Sequence, residues 1–183
     1  MFKSYLYFKQ KIALATFILA SGSFIVPNMS VAAQSKPFVL EKFFAGKTEA
    51  RGVFESKIAG VYRTFSVTTY GKSKGNTFTL VEDFNYDDGE KGRKTWIFTK
   101  IGEGRYEGTR EDVVGKADVY QDGDILKMKY MVDVPNKDGG VQRVSFDDTI
   151  VGIDEKTAVN TALVYKYFLP VAGVRVDFVK KSR

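Results

Sequence analysis

The chain has 183 residues, 28 basic against 22 acidic, a formal net charge of +6 and 14% aromatic residues, and it contains neither histidine nor cysteine. Those two absences exclude a Ser-His-Asp triad, a cysteine nucleophile, disulfides and an ordinary zinc site, which leaves carboxylates, lysine, arginine, tyrosine and hydroxyls to carry any chemistry. The charge is too weak and too evenly spread for a nucleic-acid partner.

Lys3, Lys9 and Lys11 precede the apolar run Ile12–Ala20, and Val31-Ala32-Ala33 supplies a small-residue cleavage site before Gln34. This is the tripartite pattern of an export signal. Its apolar core is shorter than the roughly 18 residues of a membrane-spanning helix, and no later segment approaches that length. The reading is therefore a signal helix over residues 1–33, a single mature domain over residues 34–183 with no stable membrane span, and a periplasmic or secreted location. A retained N-terminal anchor is the alternative. Loss of the three lysines lowers the net charge from +6 to +3, and the remaining chain is long enough to bury a sizeable core without disulfides.

Residues Phe38–Phe44 read as a short helix placed to plug one end of a barrel. Beyond them come candidate strands Glu49–Glu55, Val61–Tyr70, Thr77–Tyr86, Arg93–Lys100, Arg105–Arg110, Ala117–Tyr120, Ile125–Val134, Val141–Ile153, Thr157–Tyr165 and Val174–Val179. They are rich in Val, Phe, Tyr, Ile and Thr, and most are separated by turn-forming clusters such as Gly71–Asn76, Gln121–Asp124 and Asn136–Gly140. Short connections predict an all-β, up-and-down antiparallel order. About eight to ten such strands, each with one wet and one dry face, fit a single closed barrel that leaves no exposed edge and that by fold analogy resembles lipocalin- or calycin-type barrels. A two-sheet sandwich is the alternative fold.

Side chains along a strand alternate between faces, so each strand can be sorted and its dry stripe searched for intruding charge. Glu82 interrupts Phe78, Leu80, Phe84 and Tyr86. Arg63 interrupts Val61, Phe65 and Val67; Asp148 interrupts Val144, Phe146 and Ile150; and Asn160 sits among Ala158, Ala162 and Val164. Leu126, Met128, Tyr130 and Val132 form a clean apolar stripe. A tight turn near Asp88-Gly89-Glu90 sets Glu82 across from Trp96, turns Lys94, Trp96 and Phe98 inward, and leaves Asp87, Asp88, Glu90, Lys91 and Arg93 on a solvated rim. Buried charges survive only when paired, hydrogen-bonded or in contact with a polar ligand. The candidate site is therefore the interior set Arg63, Phe65, Phe78, Glu82, Phe84, Trp96, Tyr130, Phe146, Asp148 and Asn160.

The series Phe43–Gly46, Gly52-Val53-Phe54, Glu82–Gly89, Trp96, Tyr106-Glu107-Gly108, Asp112–Ala117, Phe146-Asp147-Asp148, Ile153-Asp154-Glu155 and Asn160-Thr161-Ala162 resembles the DUF3833 family of bacterial envelope proteins over nearly all of the mature chain. The resemblance implies an envelope protein and brings no established activity. Many members look like lipoproteins, but this chain has Gly22 after Leu19-Ala20-Ser21, where a lipobox needs cysteine. The family pattern tends to place Trp after the Asp-Asp pair, where this chain has Thr149.

The function these features imply is an exported small-molecule-binding protein with a hydrophobic or amphiphilic, lipid-like ligand in a barrel lumen, Arg63 being suited to pair a ligand carboxylate or phosphate. One alternative is a carboxylate-dependent enzyme in which Glu82 or Asp148 acts as general acid or base. Structural ion pairing among Arg63, Glu82 and Asp148 is the plainer account of those charges, and another alternative is an envelope interaction or scaffold protein that uses its outer face. No metal or cofactor is implied: Asp122–Asp124 and Asp87–Glu90 lack calcium-loop spacing, and Gly102–Arg105 lacks the strand-to-helix setting of a nucleotide loop. The basic tail Lys180–Arg183 is too short to argue for a lipid surface. Intact mass of the protein from a periplasmic fraction is expected to begin at Gln34; retention of Met1 in a membrane pellet would overturn the export reading.

Overall fold

The structure, a computed structural model, describes residues 38–135 and 139–181; the expected signal segment lies outside them. One helix, α1 (Leu40–Phe44), leads into ten strands: β1 (Gly46–Ser56), β2 (Val61–Lys74), β3 (Thr77–Tyr86), β4 (Lys91–Gly102), β5 (Arg105–Thr109), β6 (Ala117–Asp122), β7 (Ile125–Pro135), β8 (Val141–Gly152), β9 (Thr157–Lys166) and β10 (Leu169–Lys180). Each strand pairs with the next in sequence, and β10 pairs antiparallel with β1 from Thr48↔Lys180 to Glu55↔Gly173. The result is a closed up-and-down barrel, and the sandwich alternative falls.

Every anticipated strand is present, but β2 and β10 run further than their side-chain pattern suggests. Gly71 was expected to open a turn; it stays inside β2, paired with Gly46 on β1 and Leu80 on β3. The turn is only Gly75-Asn76. Gly71 lacks a side chain because α1 arrives there: a Cβ at Gly71 would lie 2.0 Å from the Phe44 carbonyl oxygen and 2.5 Å from the Phe78 ring. A glycine in a strand therefore marks a close approach here, not a breaker.

The short helix closes one end of the barrel. Leu40, Phe43 and Phe44 are buried, and Phe44 meets Phe43 and Phe178 edge-on at centroid distances of 4.9 and 5.2 Å. Polar ties hold it down: the Tyr106 hydroxyl donates to Glu41 Oε2 at 2.9 Å, the Leu40 amide donates to Gln121 Oε1 at 3.3 Å, and Lys180 Nζ donates to the Lys42 carbonyl. The opposite end is framed by the β1–β2, β3–β4 and β9–β10 turns and by the β5–β6 connection, whose Val113 bridges to Val132 on β7.

Two substitutions test this account of the plug. Phe44→Ala is expected to cost about 3–5 kcal/mol in a denaturant melt, as for other large core aromatics. Gly71→Ala is expected to cost at least about 1–3 kcal/mol through overpacking. The control is Gly173→Ala, whose added carbon meets nothing nearer than 3.8 Å and which is expected to shift stability by less than about 0.5 kcal/mol.

Candidate functional site

The inner faces of the strands enclose a cavity of about 450 Å³ that runs from Leu40 and Phe44 at the plug to Val61, Arg63 and Val134 at the open end. Nine of the ten residues singled out from strand parity line it; Phe78 does not, being packed beside Gly71 at the plugged end. Two aromatic groups form much of its wall. Phe65, Phe84 and Tyr86 lie 5.7–5.9 Å apart on β2 and β3. Trp96 meets Tyr130 edge-on at 5.1 Å, and Tyr130 stacks on Phe146 at 5.1 Å. A dent of about 470 Å³ also exists on the outer wall, among Lys127, Asp147 and Arg175. It gathers solvent-facing residues, whereas the lumen gathers the buried titratable ones, so the candidate site is the lumen.

A polar band crosses the cavity midway along the strands. Asp148 is only 5% exposed; its Oδ1 accepts from Asn160 Nδ2 at 2.6 Å, and the Tyr130 hydroxyl acts on the same carboxyl. Glu82 faces this space from β3. Burial pushes the Glu82 carboxyl up to about 7, with the Arg110 and Lys94 cations acting against the rise and Asp148 adding to it. Burial also lifts Asp148 to about 6, against the hydrogen bond from Asn160 and the nearby Tyr130 hydroxyl. Both groups thus change charge near neutrality, where ordinary carboxylates are fully ionised.

Three arrangements differ from the expectations drawn from the sequence. The residue opposite Glu82 is Lys94, while Trp96 faces Leu80, because the Asp87–Gly89 turn sets the register two residues from the anticipated one. Arg63 does not reach Glu82 or Asp148. It sits at the mouth, 3.7 Å over the Tyr86 ring, and its Nη2 donates to Asp88 Oδ1 at 2.8 Å and Glu90 Oε2 at 2.6 Å. Two rim carboxylates taken for solvated turn residues are therefore its partners.

The cation that does enter the band is Arg110, which was not singled out. It follows β5 directly and continues the inward parity of Tyr106 and Gly108, a signal already present in the anticipated strand Arg105–Arg110. Its guanidinium lies 4.6 Å from the Trp96 ring and 5.3 Å from the Tyr130 ring, and its Nε donates to Asp112 Oδ1 at 2.6 Å. Lys94 also bonds Asp112. Against the burial that opposes them, these two cations hold the Asp112 carboxyl below its ordinary range. Among the described residues there is no group of three or more acidic side chains placed to hold a metal, and no helix long and apolar enough to cross a membrane.

A model of the family described as "Protein of unknown function (DUF3833)" matches residues 17–180. No curated protein matches the sequence. Among solved structures, the S-type phycobiliprotein lyase CPES of Guillardia theta is similar with a TM-score of 0.57 and 10% identity, over 80% of this chain and 94% of that one. Rv2717c of M. tuberculosis is similar with a TM-score of 0.57 and 11% identity, over 76% and 93% respectively. At such identities the likeness is one of fold.

The raised carboxyls make a signed prediction. A group whose folded-state value lies above its unfolded one stabilises most below the unfolded value, and that contribution is lost as pH rises through the folded value. Here the window runs from about 4, the unfolded range, to about 7 for Glu82 and about 6 for Asp148. Glu82→Gln and Asp148→Asn are each expected to flatten the fall in stability between about pH 5 and pH 8 by more than about 1 kcal/mol, read from urea melts. An unchanged slope in both variants would show that neither carboxyl is desolvated.

Proposed function

We propose, for a chain that belongs to the DUF3833 family of proteins of unknown function, that it is an exported small-molecule-binding protein holding a hydrophobic or amphiphilic, lipid-like ligand in its barrel lumen. The observation that carries this reading is the cavity itself. A filled core of this strand number packs side chains across the axis, whereas here about 450 Å³ stays open between the aromatic wall and the plug. That volume falls within the roughly 300–1,000 Å³ of small-molecule sites, and its lining, mostly aromatic and aliphatic with a few convergent polar groups, is the usual composition of one.

The surroundings of the mouth favour an apolar ligand. Ile58 and Tyr62 on one side and Tyr167 and Phe168 on the adjacent β9–β10 turn are 77%, 69%, 86% and 83% exposed. Apolar side chains left in water at an opening give a lipid-like molecule a favourable surface to approach before it reaches the lumen. Export rests on the basic, apolar and small-residue segments before Gln34.

Trp96 tests the reading without a label, being the single tryptophan of the chain, buried and on the cavity wall. Titration with medium-chain alcohols, fatty acids and lysolipids is expected to give a saturable change in Trp96 emission with at least one class. Ligand at about a hundred times its Kd should also stabilise the fold by about 2.7 kcal/mol, seen as a higher Tm. Emission and Tm that ignore every class would overturn binding and leave an envelope scaffold.

A further inference from the structure

The cations that line the lumen already hold carboxylates, Arg63 at the mouth keeping only its Nε without a partner, whereas midway along the same space buried acceptors hold no donor. Arg63 is bound to Asp88 and Glu90, and both Lys94 and Arg110 are bound to Asp112. Asp148 is only 5% exposed, and although the Tyr130 hydroxyl lies near its carboxyl, among the described residues neither its Oδ2 nor Oδ1 of Asn160 has a hydrogen-bond partner. Both side chains line the cavity. The 2.6 Å bond from Asn160 Nδ2 to Asp148 Oδ1 locks the two together, so the pair presents two neighbouring acceptors in one fixed arrangement.

A buried acceptor without a donor is costly, and a molecule that brings a donor to it recovers that free energy, whereas one that brings another acceptor adds to the cost. From this we infer that the ligand carries a hydrogen-bond donor, a hydroxyl or an amine, which docks on Asp148 and Asn160 midway along the lumen while its apolar body lies against the aromatic wall. The inference rests on the reading of the lumen as a binding site and narrows it. It also reverses the polarity expected of an Arg63-paired ligand. An anionic head at this depth would face Asp148 and Glu82, and to gain a cation it would have to break the pairs Asp112 makes with Lys94 and Arg110.

The test uses the protein and four probes of about decyl length that differ at the head: decanol, decylamine, decyl methyl ether and decanoate. Affinities come from calorimetric titration, with Trp96 emission as an independent readout. Decanol, decylamine or both are expected to bind at least about tenfold tighter than the ether and decanoate, because a site built around unpaired polar groups rejects a molecule that cannot pair them. Which of the two binds tighter identifies the head as hydroxyl or amine. Asp148→Leu, which offers neither acceptor nor donor, is expected to bring decanol within about threefold of the ether. Should that variant not fold, Asn160→Ala is expected to act in the same direction. Ether or decanoate binding as tightly as decanol and decylamine would overturn the donor-bearing head and leave lumen binding standing. Binding of none of the four would overturn both.

Discussion

Eight residue pairs between β1 and β10 close the sheet on itself, and the rest of the molecule follows from that closure. A ten-stranded antiparallel sheet left open would expose two rows of unpaired backbone groups and would not have an inside. Once closed, alternation along every strand sends one half of the side chains to a common interior, so a slip of one residue anywhere would exchange that half for the polar outer set. Outward acids and bases then pair across neighbouring strands, as Asp83 with Arg93 and Asp133 with Arg143 do. They belong to the solvated wall and not to the lumen.

The interior is shaped by what closure forces together. Gly108 faces inward opposite Phe98, and the Trp96 indole lies 3.2 Å from where its Cβ would be, so a missing side chain on β5 makes room for the largest one on β4. The chain leaves β5 immediately afterwards, and Arg110 comes down over Trp96 and Tyr130. Placing a guanidinium on two aromatic faces and against Asp112 offsets part of the penalty of burying it. That cation in turn limits how far the Glu82 and Asp148 carboxyls rise. One glycine, one tryptophan and one arginine thus connect local backbone chemistry to the protonation of the lumen.

Much of this was legible in the sequence because period-two patterning reports which face a residue occupies. The ten strands, the inward stripes and nine of the cavity-lining residues follow from it. What period two does not report is position around and along the barrel, which depends on register. Register is set by turns such as Asp87–Gly89, whose geometry is not written in the pattern of the strands they join. For that reason Arg63 meets Asp88 and Glu90 and not Glu82 or Asp148, and Glu82 faces Lys94 and not Trp96. Gly71 differs for another reason: a glycine needed for the close passage of α1 looks, in sequence, like one needed for a turn. Arg110 closes the inward stripe after only Tyr106 and Gly108, one of them without a side chain, so alternation has little length there in which to mark it.

The plug formed by α1 has a kinetic consequence. Among the described residues Phe44 and its neighbours seal one end, so a molecule held in the lumen could not be pushed out through that side by an incoming one. Exchange has to proceed by departure followed by arrival through the same opening. The replacement rate therefore saturates at the dissociation rate of the first occupant, whatever the concentration of the second. A barrel open at both ends would show exchange that keeps accelerating with competitor.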